Sequence, residues 1–151
     1  MRIAGFFLLM LLVTNAARAD IVSTFDISVN TAALQGQSGF LDFQFNPGAQ
    51  SDPASATLSA FSSDGVLSPP PVNGGDEVIG TLPGSVTINN DTVYNDYNES
   101  FTFGSFFDVY VTLDVPSLSG NATSGDAFVL GLYGSNDSDE LFTTDSDPGL
   151  V

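Results

Sequence analysis

The sequence predicts an all-β fold, a single antiparallel β-sandwich of jelly-roll type. Three observations predict it: apolar residues repeat with a period of two, turn residues break the chain at short intervals, and no stretch carries a sustained helical stripe.

In chain order, Ile21, Phe25, Ile27 and Val29 share one parity while Asp26 and Ser28 take the other. Thr31–Gln35 predicts one helical turn, with Asn30 as its cap and Gly36 as its stop. Leu41, Phe43 and Phe45 then alternate with Asp42 and Gln44. Shorter strands are predicted at Ala54–Ser62, Val78–Leu82, Ser85–Asn89 and Glu99–Phe103. The cleanest half-buried strand follows, with Phe107, Val109, Val111, Leu113 and Val115 alternating against Asp108, Tyr110, Thr112 and Asp114. Phe128, Leu130 and Leu132 repeat the pattern, and Leu141–Thr143 predicts a last short strand.

The separators are Asn46-Pro47-Gly48, Asp64-Gly65, Pro83-Gly84 and Asn89-Asn90-Asp91. Longer breaks fall at Ser68–Asp76, with three consecutive prolines, and at Pro116–Asp126. Eight or nine short strands so spaced read as a sandwich or jelly roll. Neither an internal repeat nor a linker divides the chain, so residues 20–151 are expected to form one domain.

Residues 1–19 read as an export signal. Arg2 supplies the positive start, Ile3 to Val13 form an uncharged apolar core, and Ala17-Arg18-Ala19 give a small-residue cleavage site before Asp20. The core is 11 residues long, against the roughly 20 that span a bilayer. No membrane span is therefore expected after cleavage. No cysteine follows the core, which excludes a lipid anchor there.

Removing residues 1–19 from the 151 leaves 132, enough to bury a core without disulfides. Both basic residues, Arg2 and Arg18, lie in the signal, and all 18 acids lie after it. From Asp20 onward the chain has no Lys, Arg, His or Cys. Phosphate recognition by charge is lost with the cations, so nucleic-acid binding and attraction to anionic membranes are not expected. Histidine triads, cysteine nucleophiles, Schiff-base lysines and His/Cys metal sites are excluded. Only carboxylate-pair catalysis and hard-cation chemistry remain.

Two sets of residues are candidate sites. Asp137, Asp139, Glu140, Asp145 and Asp147 fall within 11 residues around Leu141-Phe142, a grouping that Ca²⁺ binding would relieve of its repulsion. Asp145-Ser146-Asp147-Pro148-Gly149 only faintly matches a calcium loop, since its glycine is one position early and the distal glutamate is missing. The other reading of these acids is a pair of solvated loops flanking a strand. Carbohydrate binding is the second candidate, with Tyr94 and Tyr97 foremost and Tyr110 and Tyr133 as further ring faces. Tyr97 stands beside Asp96, Asn98 and Glu99, which supply polar partners. The bland reading is tyrosine as ordinary sheet surface. Sequons at Asn90, Asn98, Asn121 and Asn136 agree with surface loops.

The segment Gly36-Gln37-Ser38-Gly39-Phe40-Leu41-Asp42-Phe43-Gln44-Phe45-Asn46-Pro47-Gly48 resembles an uncharacterised family of bacterial exported proteins with a PEP-CTERM sorting tail. Ala54–Asp64, Asp96–Gly104, Phe128–Tyr133 and Leu141-Phe142-Thr143-Thr144-Asp145 extend the resemblance over most of residues 25–149. It implies a Gram-negative, exopolysaccharide-producing host and delivery to the periplasm, cell surface or extracellular matrix, and it brings no catalytic residues. The family's Pro-Glu-Pro motif, apolar helix and basic cluster are missing before Val151, and Leu150-Val151 reads as the opening of another strand. Either a sorting tail lies beyond this sequence, or the protein is released unsorted.

The expected function is that of an exported structural or interaction protein of the cell surface or matrix, with polysaccharide or other matrix proteins as partners. The alternative is a carbohydrate-binding jelly-roll module with structural calcium. An enzyme is not expected.

Overall fold

The strand periodicity sorts side chains into an apolar interior between two sheets. The computed structural model describes residues 20–74, 78–115, 124–136 and 141, so the expected signal lies outside the described residues. The chain runs through β1 (Ile21–Asn30), a 3₁₀ turn (Ala32–Leu34), β2 (Ser38–Asn46), β3 (Ser55–Ser63), β4 (Val66–Leu67) and β5 (Val72–Gly74). It continues through β6 (Val78–Gly80), β7 (Val86–Asn89), β8 (Asp96–Thr102), β9 (Phe106–Val115) and β10 (Ala127–Gly134). One sheet has the order β1-β9-β3-β7-β6; the other has β10-β2-β8-β4, with β5 also paired to β8. All pairings are antiparallel, and the sheets pack as an all-β sandwich.

The predicted parities hold where the interior is deepest. Leu41, Phe43 and Phe45 of β2 meet Phe107, Val109 and Val111 of β9 in one core, all at most 2% exposed. In β1, Ile27 and Val29 join that core, whereas Ile21 and Phe25 at the other end of the strand stay about half exposed. A helical turn forms at Ala32–Leu34 with Gly36 beyond it at a φ of +81°, but its cap is Thr31 and not Asn30; Asn30 Oδ1, one residue earlier, accepts from the Ala32 N–H at 3.0 Å. Leu141 donates its N–H to the Leu132 carbonyl at 2.9 Å, beside β10.

Three features depart from the expectation. Ten strands are described, two of them not expected: β4 just before the proline-rich break and β5 within it. Both pair with β8, as two halves of one edge interrupted by the prolines, which cannot donate to a ladder. Second, strict alternation along β3 would turn Phe61 outward. A bulge between Ser59 and Ser62 inserts one residue opposite β9, Ala60 takes up a φ of +51°, and Phe61 swings inward. Its ring then stacks on Phe107 at 6.0 Å and meets Phe101 edge-on at 6.2 Å. Third, the sequons at Asn90 and Asn98 are buried. Asn90 is held by the Ala54 N–H, the Asp52 carbonyl and the Asp126 carboxylate.

Carboxyl groups find neutral partners in place of cations, to different degrees. Asp64 joins the β3–β4 turn to the β8–β9 turn, accepting from Ser105 Oγ and the Ser105 and Phe106 N–H groups at 2.7, 2.7 and 3.2 Å. These donors, the Ser105 hydroxyl above all, hold its pKa below the ordinary value. Glu99 is handled differently. It is fully buried on the inner face of β8, where Tyr97 Oη donates to its Oε2 at 2.5 Å and accepts from the Leu82 N–H at 2.9 Å. Glu99 Oε1 has no hydrogen-bond partner among the described residues. Burial raises the carboxyl's pKa above its ordinary 4.5, outweighing the lowering effect of the Tyr97 hydroxyl. Burial and the Glu99 contact likewise push the Tyr97 phenol upward.

A raised folded-state pKa means that the folded chain binds the proton more tightly than the unfolded chain. The stability Glu99 contributes is thus fully present below about pH 4.5 and is lost as pH rises through its folded value. Glu99→Gln should be more stable than wild type at neutral pH, by about 1.4 kcal/mol for each unit of elevation, and the two should converge in acid. Denaturant melts of both proteins across pH check this, with parallel pH profiles as the contrary result.

Candidate functional site

The outer face of the β10-β2-β8 sheet carries the candidate site. On β2, alternation turns Asp42, Gln44 and Asn46 away from the core, where they form a ladder along the strand. Asn46 Nδ2 donates to Gln44 Oε1 at 3.1 Å, and Gln44 Nε2 donates to Asp42 Oδ2 at 2.6 Å. The Gln44 amide also reaches the Tyr94 hydroxyl at 3.3 Å. Gln44 thereby orients both an acid and a ring.

The backbone register brings β8 alongside. Asp42 faces Asn98 and Gln44 faces Asp96, so two carboxyls and two amides meet on adjacent strands. A cavity of about 330 Å³ opens over them, lined by Asp42, Asp96, Asn98, Tyr94, Tyr133 and the Val72-Asn73 edge of β5. Asp42, Asp96 and Asn98 are each more than nine-tenths buried, whereas Tyr94 is 50% exposed. The site is thus a recessed polar floor with a ring at its rim.

Local sequence explains how both rings arrive there. Tyr94 sits in the loop before β8, and Asn95 pins that loop to β2. Asn95 Nδ2 donates to the carbonyls of Phe45 (3.1 Å) and Thr92 (2.8 Å), its backbone N–H donates to Asn46 Oδ1 at 2.8 Å, and its carbonyl accepts from the Phe45 N–H at 3.0 Å. Tyr133 follows from Gly131, two residues earlier on the same face of β10. A Cβ at Gly131 would lie 2.6 Å from the Tyr133 ring, so the missing side chain is the space the ring occupies.

The four tyrosines divide among three environments. Tyr94 and Tyr133 share the cavity. Tyr110 is 44% exposed on β9, in the other sheet. Tyr97 is fully buried in the core, bonded to Glu99, and offers no ring face to a ligand; the expectation for that residue is corrected. Its cause is parity, since Tyr97 and Glu99 point inward while Asp96 and Asn98 point into the cavity.

The proposed calcium ligands Asp137, Asp139, Glu140, Asp145 and Asp147 all lie outside the described residues. Among the described residues no three His, Cys, Asp or Glu side chains are grouped to hold a metal. Nor is any helix among them long and apolar enough to cross a membrane.

Chemically, the cavity is rich in acceptors and phenolic hydroxyls and has no basic group. It suits a ligand that donates hydrogen bonds and presents an apolar face to a ring. An anionic ligand would meet only repulsion.

Asn95→Ala should test the pin beneath this site. Losing buried donors to Phe45 and Thr92 should cost about 1–3 kcal/mol in a denaturant melt. It should also change the tyrosine fluorescence, which is uncomplicated because the chain has no tryptophan. Unchanged stability would show that the loop is held otherwise. Comparison with protein-family models, curated proteins and solved structures finds no match to this chain.

Proposed function

We propose that this chain is an exported interaction protein of the cell surface or matrix that binds a neutral polysaccharide at the Tyr94–Tyr133 cavity. The observation that carries the reading is the convergence of two tyrosines and three buried oxygen-bearing side chains on one sheet face of a chain with no base after residue 19. Sugar hydroxyls donate to carboxylate and amide oxygens, and a pyranose ring has an apolar face that packs on a phenol. The absence of any cation disfavours uronates, phosphates and sulfates.

Two features favour binding over hydrolysis. Glycoside cleavage needs an acid that stays protonated near neutral pH beside an ionised partner. Glu99, whose carboxyl has its pKa raised by burial, lies on the opposite face of β8 from the cavity. The Gln44 amide, moreover, donates to Asp42 Oδ2 and so holds that carboxyl in place as an acceptor.

Binding of the protein from Asp20 onward to soluble cellulose derivatives, galactomannan, dextran, alginate and chitosan tests this reading. At least one neutral polymer should bind and stay bound at 1 M sodium chloride, where the Debye length is about 3 Å. Alginate should not bind, and chitosan should be released by the salt. Tyr94→Ala should weaken neutral-polymer binding by about tenfold, a loss of 1.4 kcal/mol, without lowering the melting temperature. Binding to alginate alone, or to no neutral polymer, would overturn the reading.

A further inference from the structure

A second cavity lies on the same outer face, in line with the first. It has a volume of about 130 Å³, and Ser38, Phe40, Ser68, Ser100, Thr102 and Ser135 are among its lining residues. The two cavities occupy successive rungs of one ladder. Gln44 opposite Asp96 and Asp42 opposite Asn98 form the first, and Phe40 opposite Ser100 and Ser38 opposite Thr102 form the second. β2 and β8 pair continuously from Ser38–Thr102 to Gln44–Asp96, so among the described residues no strand comes between the two cavities within the sheet.

We infer that the two cavities are subsites of one track along β2 and β8 that takes several consecutive units of a neutral glycan chain. The inference rests on the proposed saccharide reading of the first cavity and adds the ligand's length and direction. From Asp96 to Thr102 the strand advances six residues, or about 20 Å, longer than a single sugar ring. The linings differ in a way that suits one occupant. Buried carboxyl and amide oxygens anchor one end; hydroxyls, which both donate and accept without charge, line the other.

Aromatic rings mark the track as well. Phe40 stands opposite Tyr133 in the β2–β10 register, but the Tyr133 ring lies over Gly131, one rung toward Asp42. Tyr133 therefore lines the first cavity, with Tyr94, and Phe40 the second, so these rings are spaced along the strand. Ser68 is fixed beside the second cavity by its N–H, which donates to the Ser100 carbonyl at 2.8 Å. Charge also favours an uncharged chain, since the second cavity has no ionisable group among its lining residues.

The test is a length series of cello-, manno- and malto-oligosaccharides, from one unit to six, titrated calorimetrically into the protein from Asp20 onward. In one series affinity should rise by about tenfold or more between two units and six. Ser100→Phe, which fills the second cavity, should abolish that gain while leaving the disaccharide affinity within about twofold of wild type. Thr102→Ala is a milder variant that should reduce the gain, and it carries the test should Ser100→Phe fail to fold. Equal affinity at every length would overturn the track and leave the single-cavity reading standing. A length gain that survives both substitutions would likewise overturn it, since the chain would extend elsewhere. Binding of no oligosaccharide and no neutral polymer would overturn both.

Discussion

From Asp20 onward no cation balances any of the 18 carboxyl groups, and the structure is organised around that constraint. Salt bridges, the usual partners of a buried acid, are unavailable to side chains in this part of the chain. Each acid must instead stay in water, accept from neutral donors, or have its pKa raised by burial. Asp64 takes the second course, with a serine hydroxyl and two backbone N–H groups around it. Asp126 does the same, with the Gly48 N–H and the Asn90 amide. Glu99 takes the third, in a core that raises its pKa. These solutions tie distant turns together, so the absence of bases shapes the scaffold as well as the surface.

The same constraint narrows what the cavity can recognise. A recess with Asp42 and Asp96 on its floor and no basic residue to offset them repels anions. Asp42 accepts from the Gln44 amide, which also reaches Tyr94, so acid and ring are positioned by one uncharged side chain. That arrangement can orient hydroxyl donors, which supports the saccharide reading. Association would then depend on hydrogen bonding and ring contact, and salt would affect it little.

Much of the scaffold was legible because alternation is a local property. The strand from Phe107 to Val115 buries the residues its period selects at its inner end, and the expected turn forms at Ala32–Leu34, capped one residue later than Asn30. What alternation could not supply was which strands pair. Asp42 reads as outward-facing on its own, but only the β2–β8 register, joining segments more than fifty residues apart, sets it opposite Asn98. The bulge at Ala60 was hidden for a related reason, since inserting one residue reverses parity without a distinctive side chain. Asp96-Tyr97-Asn98-Glu99 shows both sides of the problem. The right neighbourhood stands out, yet Tyr97 and Glu99 belong to the core and Asp96 and Asn98 to the cavity. Phe101 and Phe103 further along imply that inward parity. A glutamate on the same parity conceals it, because a buried acid without a cation is not what sequence patterns lead one to expect.

The central claim is that burial with one neutral donor and no cation raises the pKa of the Glu99 carboxyl above its ordinary value. Carbon-13 NMR of protein labelled at glutamate side chains tests it directly. The chain has only three glutamates, Glu77, Glu99 and Glu140, and the Glu99→Gln variant assigns the one that matters. The Glu99 carboxyl carbon should titrate with a midpoint clearly above the ordinary 4.5. A Glu99 signal titrating at or below that value would contradict the account, because a charged carboxylate would then sit in the core with no cation to hold it.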